Sequence, residues 1–211
     1  MRLRVLALAA LSLLTGPVLG TGAPAAPAAP AAQAAVFEVK PGKDCKVVFT
    51  SKAPTETFQG KTDRMEGTLT LDPTTVGDSI TVHLEVDLAS LDTGKKMRNQ
   101  HMRENHLETG KYPKAVFDGA AVLSPAGAKL EAGKPVSFQI EGTFALHGVS
   151  RRLRCPAEAT FTPAGTGGSI AFHAAFPVSL PDYKIVRPEF LFLKLAEVQQ
   201  VSVSGVASSA P

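Results

Sequence analysis

Histidine, serine, cysteine and paired carboxylates are the side chains that could do chemistry here. There are five histidines. His101 and His106 stand five apart, whereas two metal ligands on one helix face stand four apart, as in an H-E-x-x-H motif, which is missing. His83 and His173 alternate with apolar residues, which predicts solvated positions on the polar face of strands. His147 closes a strand in "LHGVS" and is expected to hydrogen-bond neighbouring backbone at a turn. Ser150 follows His147 in "HGVSRR", a pairing that acyl transfer would use, yet no G-x-S-x-G elbow surrounds it. Glu85, Asp87 and Asp92 read better as a wet strand face and a loop start than as the carboxylate pair of a glycosidase. Cys45 and Cys155 lack the spacing of a zinc site. Two outcomes stay open for them: a Cys45–Cys155 disulfide, favoured in an oxidising compartment, or two buried free thiols. The residues point to no enzyme, no metal and no cofactor.

The elements that carry these residues have a period of two. "SITVHLEVDLASL" puts Ile80, Val82, Leu84, Val86 and Leu88 on one face, with His83, Glu85 and Asp87 on the other. "PVSFQIEGTFALHG" repeats this with Val136, Phe138, Ile140, Phe144 and Leu146. "RLRCPAEATF" and "SIAFHAAFPVSL" continue it, the second with Ile170, Phe172, Ala174, Phe176, Val178 and Leu180. Strict alternation predicts strands with one dry and one wet face. Further strands are expected at 36–39, 45–51, 65–71, 115–123 and 198–206, with hairpin turns at 72–79 and 125–135, about eight or nine strands in all. Closure into a barrel disposes of exposed edges, and about eight strands suffice to hold one slender ligand. A two-sheet sandwich with a filled core is the alternative. The 11 phenylalanines do not decide between them, because a filled and a hollow barrel use the same dry faces.

The ends of the chain bound its location. "MRLRVLALAALSLLTGPVLG" has Arg2 and Arg4, an apolar run too short to span a bilayer, then Gly16, Pro17 and small residues. Residues 1–20 therefore read as a signal peptide, with cleavage after Gly20 or after Ala34. Residues 21–35, "TGAPAAPAAPAAQAA", read as an Ala/Pro-rich tether. One domain follows over 36–207, in the periplasm or outside the cell, with no transmembrane span. Removing Arg2 and Arg4 leaves 20 basic against 19 acidic side chains. That near-neutral balance argues against nucleic acid as a partner. The "SRRLR" cluster at 150–154 reads as solubility and edge protection ahead of attraction to anionic lipid.

The polar segment at 93–113 breaks the alternation. It has helix formers without Pro or Gly over 95–108, yet Met97, Met102 and Leu107 come five apart. On an α-helix that spacing spreads them over different faces. One or two short helical turns over a barrel end, near residues 95–109, are expected in place of one buried helix. Pro113 then disfavours helix at Tyr112 and returns the chain to the ladder, where a one-residue slip would turn Phe117 from dry to wet.

Three stretches carry a resemblance. "SLDTGKKMRNQHMRENHLETGKYPKAVF" resembles a signature of the YceI-like family, with Arg98 and His101 at its arginine and histidine and Tyr112, Pro113 and Phe117 in its Y-P-x-A-x-F. "GTFALHGVSRRL" is similar to the second signature, with His147 and Gly148 as its H-G pair, and "FPVSLPDYKIVRPEF" to a late segment of one branch. Three features depart from the pattern: Asn99 at a usually acidic position, Met102 for leucine, and "LPDYKI" where many members carry R-x-D-F-G. The resemblance implies an all-β, antiparallel, lipocalin-like barrel whose tunnel holds a polyisoprenoid or another long amphiphilic lipid, without cofactor chemistry. The expected tunnel lining is Val82, Leu84, Val86, Phe117, Phe138, Ile140, Phe144, Phe172 and Phe176, with Arg98, His101, Tyr112 and His147 as motif positions. A fatty acid or amide could replace the isoprenoid, and a homodimer is compatible with the reading. Two rivals differ in kind: an enzyme on such a lipid with His147 or His101 as base, and a filled β-domain for protein contacts.

Overall fold

The computed structural model describes residues 35–54, 56–71, 80–122, 131–165, 167–190 and 193–209. The expected signal peptide, the tether to residue 34, the 72–79 turn and the first part of the 125–135 turn lie outside these residues. The strands are β1 (Ala35–Val39), β2 (Lys46–Lys52), β3 (Thr57–Thr62), β4 (Met65–Leu71), β5 (Ile80–Asp87), β6 (Lys114–Val122), β7 (Pro135–Leu146), β8 (Val149–Ala164), β9 (Gly167–Ser179), β10 (Glu189–Phe190), β11 (Leu193–Lys194) and β12 (Val198–Ser209). The helix α1 spans Lys96–His101, and a π-helical turn, Met102–His106, continues it.

Eight strands close a ring in the order β1-β4-β5-β6-β7-β8-β9-β12, and β12 returns to β1. Every pairing in the ring is antiparallel. Closure leaves no edge within the ring, and the sandwich is excluded. The strands expected at 36–39 and 45–51 share one wall of this ring. β1 meets the end of β12 from Phe37↔Ser209 to Val39↔Ala207, and β2 meets its beginning from Gln200↔Thr50 to Ser204↔Lys46. Pro41 and Gly42 turn the chain out between them. The matching break on the next wall separates β3 from β4, so the β2–β3 hairpin flares away. Its β3 edge meets the far side through the Lys61↔Asp92 bridge, the Thr62–Ser90 hydroxyl pair and the Phe58 ring beneath Arg98. Sequence patterning missed β3 because "TFQGKT" has one large apolar residue, Phe58; its other inward positions are Gly60 and Thr62.

The barrel has a filled base and an open mouth. At the base Phe37, Met65, Leu71, Ile170 and Ala207 are fully buried, and the Phe37 and Phe161 rings meet edge to face 6.2 Å apart. Toward the mouth, inward residues such as Leu84, Val86, Phe138, Ile140, Phe144 and Val203 are only half-buried. They point into the barrel and keep free surface there because they face a void. Several inward phenylalanines lie flat along the wall against a glycine. A methyl on Gly60 would stand 2.1 Å from the Phe49 ring, one on Gly205 2.8 Å from Phe172, and one on Gly119 2.6 Å from Phe117.

Two segments cover the mouth. One is the chain from Leu88 through α1 to Pro113. The other is formed by a 3-10 turn, Pro181–Tyr183, and the described residues that follow it, 184–190 and 193–197, with β10 and β11 among them. The five-residue spacing of the apolar residues finds its explanation in the π turn. The Leu107 amide donates to the Met102 carbonyl at 2.8 Å, five residues back, so Met102 and Leu107 stack on the same side and pack against the core. The expectation that they lie on separate faces assumed α geometry. Met97, in α1, remains exposed.

Candidate functional site

The void has two chambers. The outer one, under the mouth segments, has a volume of about 650 Å³. This lies within the ~300–1,000 Å³ usual for small-ligand sites. The inner one, of about 90 Å³, reaches toward the base. Val86, Ala115, Phe144, Phe176 and Val203 line both and form a waist. Phe144 is its hub: its ring stands edge to face with Phe176 and with Tyr183, both at 5.6 Å.

Of the expected lining, Val82, Leu84, Val86, Phe117, Phe138, Ile140, Phe144, Phe172 and Phe176 all face the inner chamber or the waist. Arg98 and His101 stand at the rim of the outer chamber. Tyr112 and His147 line neither. The expected lining left out the outer chamber's own walls, including Phe49, Phe58, Leu91, Ile185 and Leu195, as well as Leu180, which the alternation had placed on a dry face. Phe49 was readable from the strand expected at 45–51. Ile185 and Leu195 lie in a segment with no period to read.

Arg98 is committed to holding loops. Its Nε donates to Thr93 Oγ1 at 2.9 Å, Nη2 to the Thr93 carbonyl at 2.9 Å and Nη1 to Glu56 Oε1 at 2.8 Å. The guanidinium also covers the Phe58 ring, 3.8 Å from its centroid. It thereby ties the helical segment to the tip of the β2–β3 hairpin. Asn99 explains its own departure from an acidic residue. Its Oδ1 accepts from Thr93 N at 2.8 Å and Thr93 Oγ1 at 2.6 Å, and its Nδ2 donates to Asp92 Oδ1 at 2.6 Å. A carboxylate could not donate to Asp92. With the Gly94 amide, that bond holds the Asp92 carboxyl below the usual range.

The two motif signatures meet at the β7–β8 hairpin. His147 and Gly148 form its two-residue loop with φ of 52° and 73°, the backbone a type I′ turn requires. Tyr112 lies on Gly148, where a methyl would stand 2.5 Å from the ring, and its centroid is 4.7 Å from His147. His147 Nδ1 faces the Tyr183 carbonyl at 3.1 Å and Nε2 faces Glu108 Oε2 at 2.7 Å. Both partners accept, so the ring satisfies both only with a proton on each nitrogen. The pair is a clamp joining both mouth segments to the hairpin. His83 and His173 sit on the outer face, bonded to Asp118 at 2.6 Å and Ser202 at 3.1 Å.

His106 is a second tie between the mouth segments, with Nδ1 3.0 Å from the Val186 carbonyl. Burial holds this imidazole below its ordinary pKa of 6.5. The neutral ring is therefore favoured in the folded state. Its contribution to stability is whole above 6.5 and is lost as pH falls through the lowered folded-state pKa. Between ~pH 7.5 and ~pH 5 the melting temperature of the natural protein is expected to fall more steeply than that of His106→Gln. Parallel slopes would refute this.

Of the two outcomes left open for the cysteines, the structure has the free thiols. Cys45 and Cys155 are free, buried thiols in different core clusters, Cys45 with the base and Cys155 with the mouth-side core. Burial raises the pKa of both, that of Cys155 to about 11, so neither is poised as a thiolate. Among the described residues no group of three or more His, Cys, Asp or Glu is placed to hold a metal, and no helix is long and apolar enough to cross a membrane.

A family model for the YceI-like domain matches residues 37–207. The fold is similar to that of a polyisoprenoid binding domain from Saccharophagus degradans implicated in plant cell wall breakdown. The TM-score is 0.64 at 18% identity, covering 84% of this chain and 100% of that one. Burkholderia cenocepacia BcnA is similar with a TM-score of 0.62 at 19% identity, over 77% of this chain and 96% of that one. A Campylobacter jejuni YceI protein gives 0.55 at 16% identity, over 70% and 82%. At these identities the likeness is one of fold. No curated protein matches.

Proposed function

The chain belongs to the YceI-like family, and from that premise we propose that it carries or sequesters one long apolar lipid, a polyisoprenoid or a chain of similar build, in the cell envelope or outside the cell. The observation that carries this is the outer chamber: about 650 Å³, walled by Val, Leu, Ile and Phe, and covered by two segments tied at His106 and His147. A flexible hydrocarbon gains ~25 cal/mol for each Å² withdrawn from water, which an apolar cavity supplies without chemistry. The similar domain from Saccharophagus degradans is described as polyisoprenoid binding, which supports the same ligand class here. Export follows from the charged start, short apolar run and small residues of 1–20. The enzyme reading loses one of its two candidate bases, because His147 stands outside the cavity with both nitrogens engaged; His101 stands at the rim. A fatty acid or amide is the alternative cargo, since apolar cavities discriminate weakly between chains.

Native mass spectrometry of protein purified without detergent, followed by organic extraction, tests the proposal. One lipid chain per protein is the expected result. A folded protein with no bound lipid that also fails to take up added farnesol would overturn it.

A further inference from the structure

The outer chamber is apolar except at its rim and at two buried positions, Ser51 and Gln199. Ser51 is 1% exposed and Gln199 7%. Ser51 Oγ and Gln199 Oε1 have no hydrogen-bond partner among the described residues. The β2–β12 register, Gln200↔Thr50 and Val201↔Phe49, continues to set Ser51 opposite Gln199, with Cβ atoms about 5 Å apart. Both residues line the chamber, and the two unpaired oxygens lie in its wall, just beneath the surface that solvent reaches. The amide of Gln199 is not free to turn: its Nε2 donates to the Ala196 carbonyl at 2.6 Å, which leaves Oε1 as an acceptor. Buried polar atoms are costly to leave unpaired, and native proteins seldom do so.

Resting on the carrier reading above, we propose that Ser51 and Gln199 anchor the ligand's head group, and that this head is neutral and bears a hydroxyl or primary amide. Such a group donates to Gln199 Oε1 and accepts from the Ser51 hydroxyl at once. A carboxylate or a fully ionised phosphate cannot, because it has no donor for Gln199 Oε1, and a phosphate that keeps a proton still brings a negative charge into an apolar chamber. The cations at the rim do not compensate for this. Arg98 is bonded to Glu56 and Thr93, and Lys95 Nζ stands 3.5 Å from Glu56. The head therefore sits beneath the cover around Ala196, whose amide donates to the Lys52 carbonyl at 2.7 Å, and the tail runs toward the waist.

Calorimetry with three probes of equal chain, farnesol, farnesyl phosphate and the headless farnesene, tests the anchor on the natural protein, on Ser51→Ala and on Ser51→Ala/Gln199→Met. The natural protein is expected to bind farnesol about tenfold or more tightly than either other probe, the size of one to two net hydrogen bonds. Ser51→Ala should lose part of that preference and the double variant all of it, with farnesene affinity kept or improved. Retained farnesene binding shows that the variants are folded. Equal binding of all three probes by the natural protein, as when the pair merely holds a water, overturns the anchor and leaves the carrier reading standing. A farnesol preference that survives both variants also overturns it. No binding of any probe by the folded natural protein overturns the carrier reading and the anchor with it.

Discussion

Phe144→Ala joins the two chambers and moves the preference of the protein toward longer chains. The ring lines both spaces and is braced by Phe176 and Tyr183. Removing it deletes the waist's hub, so a chain that stops in the outer chamber can extend toward the base. The lipid-free variant loses the ring's packing and gains cavity, a cost of about 3 kcal/mol. For a domain of this size that is a fall in melting temperature of roughly 6–12 °C. Bound lipid recovers part of the loss, and a longer chain recovers more. Melting curves with farnesol, geranylgeraniol and a longer prenol read both effects together. The ordering of stabilisation by chain length should steepen in the variant. An unchanged ordering would mean that ligands do not reach the inner chamber.

The second large effect falls on the wall. Gly119 and Gly142 face each other across β6 and β7. A methyl on Gly142 would stand 2.3 Å from the Asp118 carbonyl oxygen, 2.6 Å from Gly119 Cα and 2.8 Å from the Phe117 ring. Two of these three contacts are backbone atoms held in the ladder, so relief requires the strands themselves to part. Gly142→Ala is expected to cost about 3 kcal/mol, read by chemical denaturation of the lipid-free protein. Gly110→Ala, where nothing lies within 4 Å of the added methyl, is the control and should stay within about 0.5 kcal/mol of the natural protein. Equal stability of the two variants would refute the clash.

The barrel wall was legible in the sequence because one face of each long strand is dry and the other wet. That alternation survives in β5, β7, β8 and β9, and it placed Val82, Leu84, Phe138, Phe144 and Phe172 inward. What stayed hidden has local causes. β3 has too few apolar residues to show a period. The turn at Met102–His106 winds five residues back, so a reading based on α geometry scattered a pair that the π turn stacks. The 181–197 cover has no period at all, and its Ile185 and Leu195 matter only because the chain folds back over the mouth. Tyr112 and His147 were visible as motif residues. Their task, pinning the cover to a hairpin, depends on Glu108 and Tyr183, which no spacing connects to them.

The rings resting on glycines bear on how such a container could change its bore. Where backbone atoms face the added methyl, as the Asp118 carbonyl oxygen and Gly119 Cα do at Gly142, the wall resists. At Gly60 and Gly205 the obstructing atoms belong to the Phe49, Phe172 and Met65 side chains, which can swing away without disturbing a strand. One methyl at either position would tip an aromatic plate across the lumen and narrow its gauge. Cargo girth in this architecture can thus be retuned by single small residues on the neighbouring strand, while the hydrogen-bonded staves and the lid stay as they are.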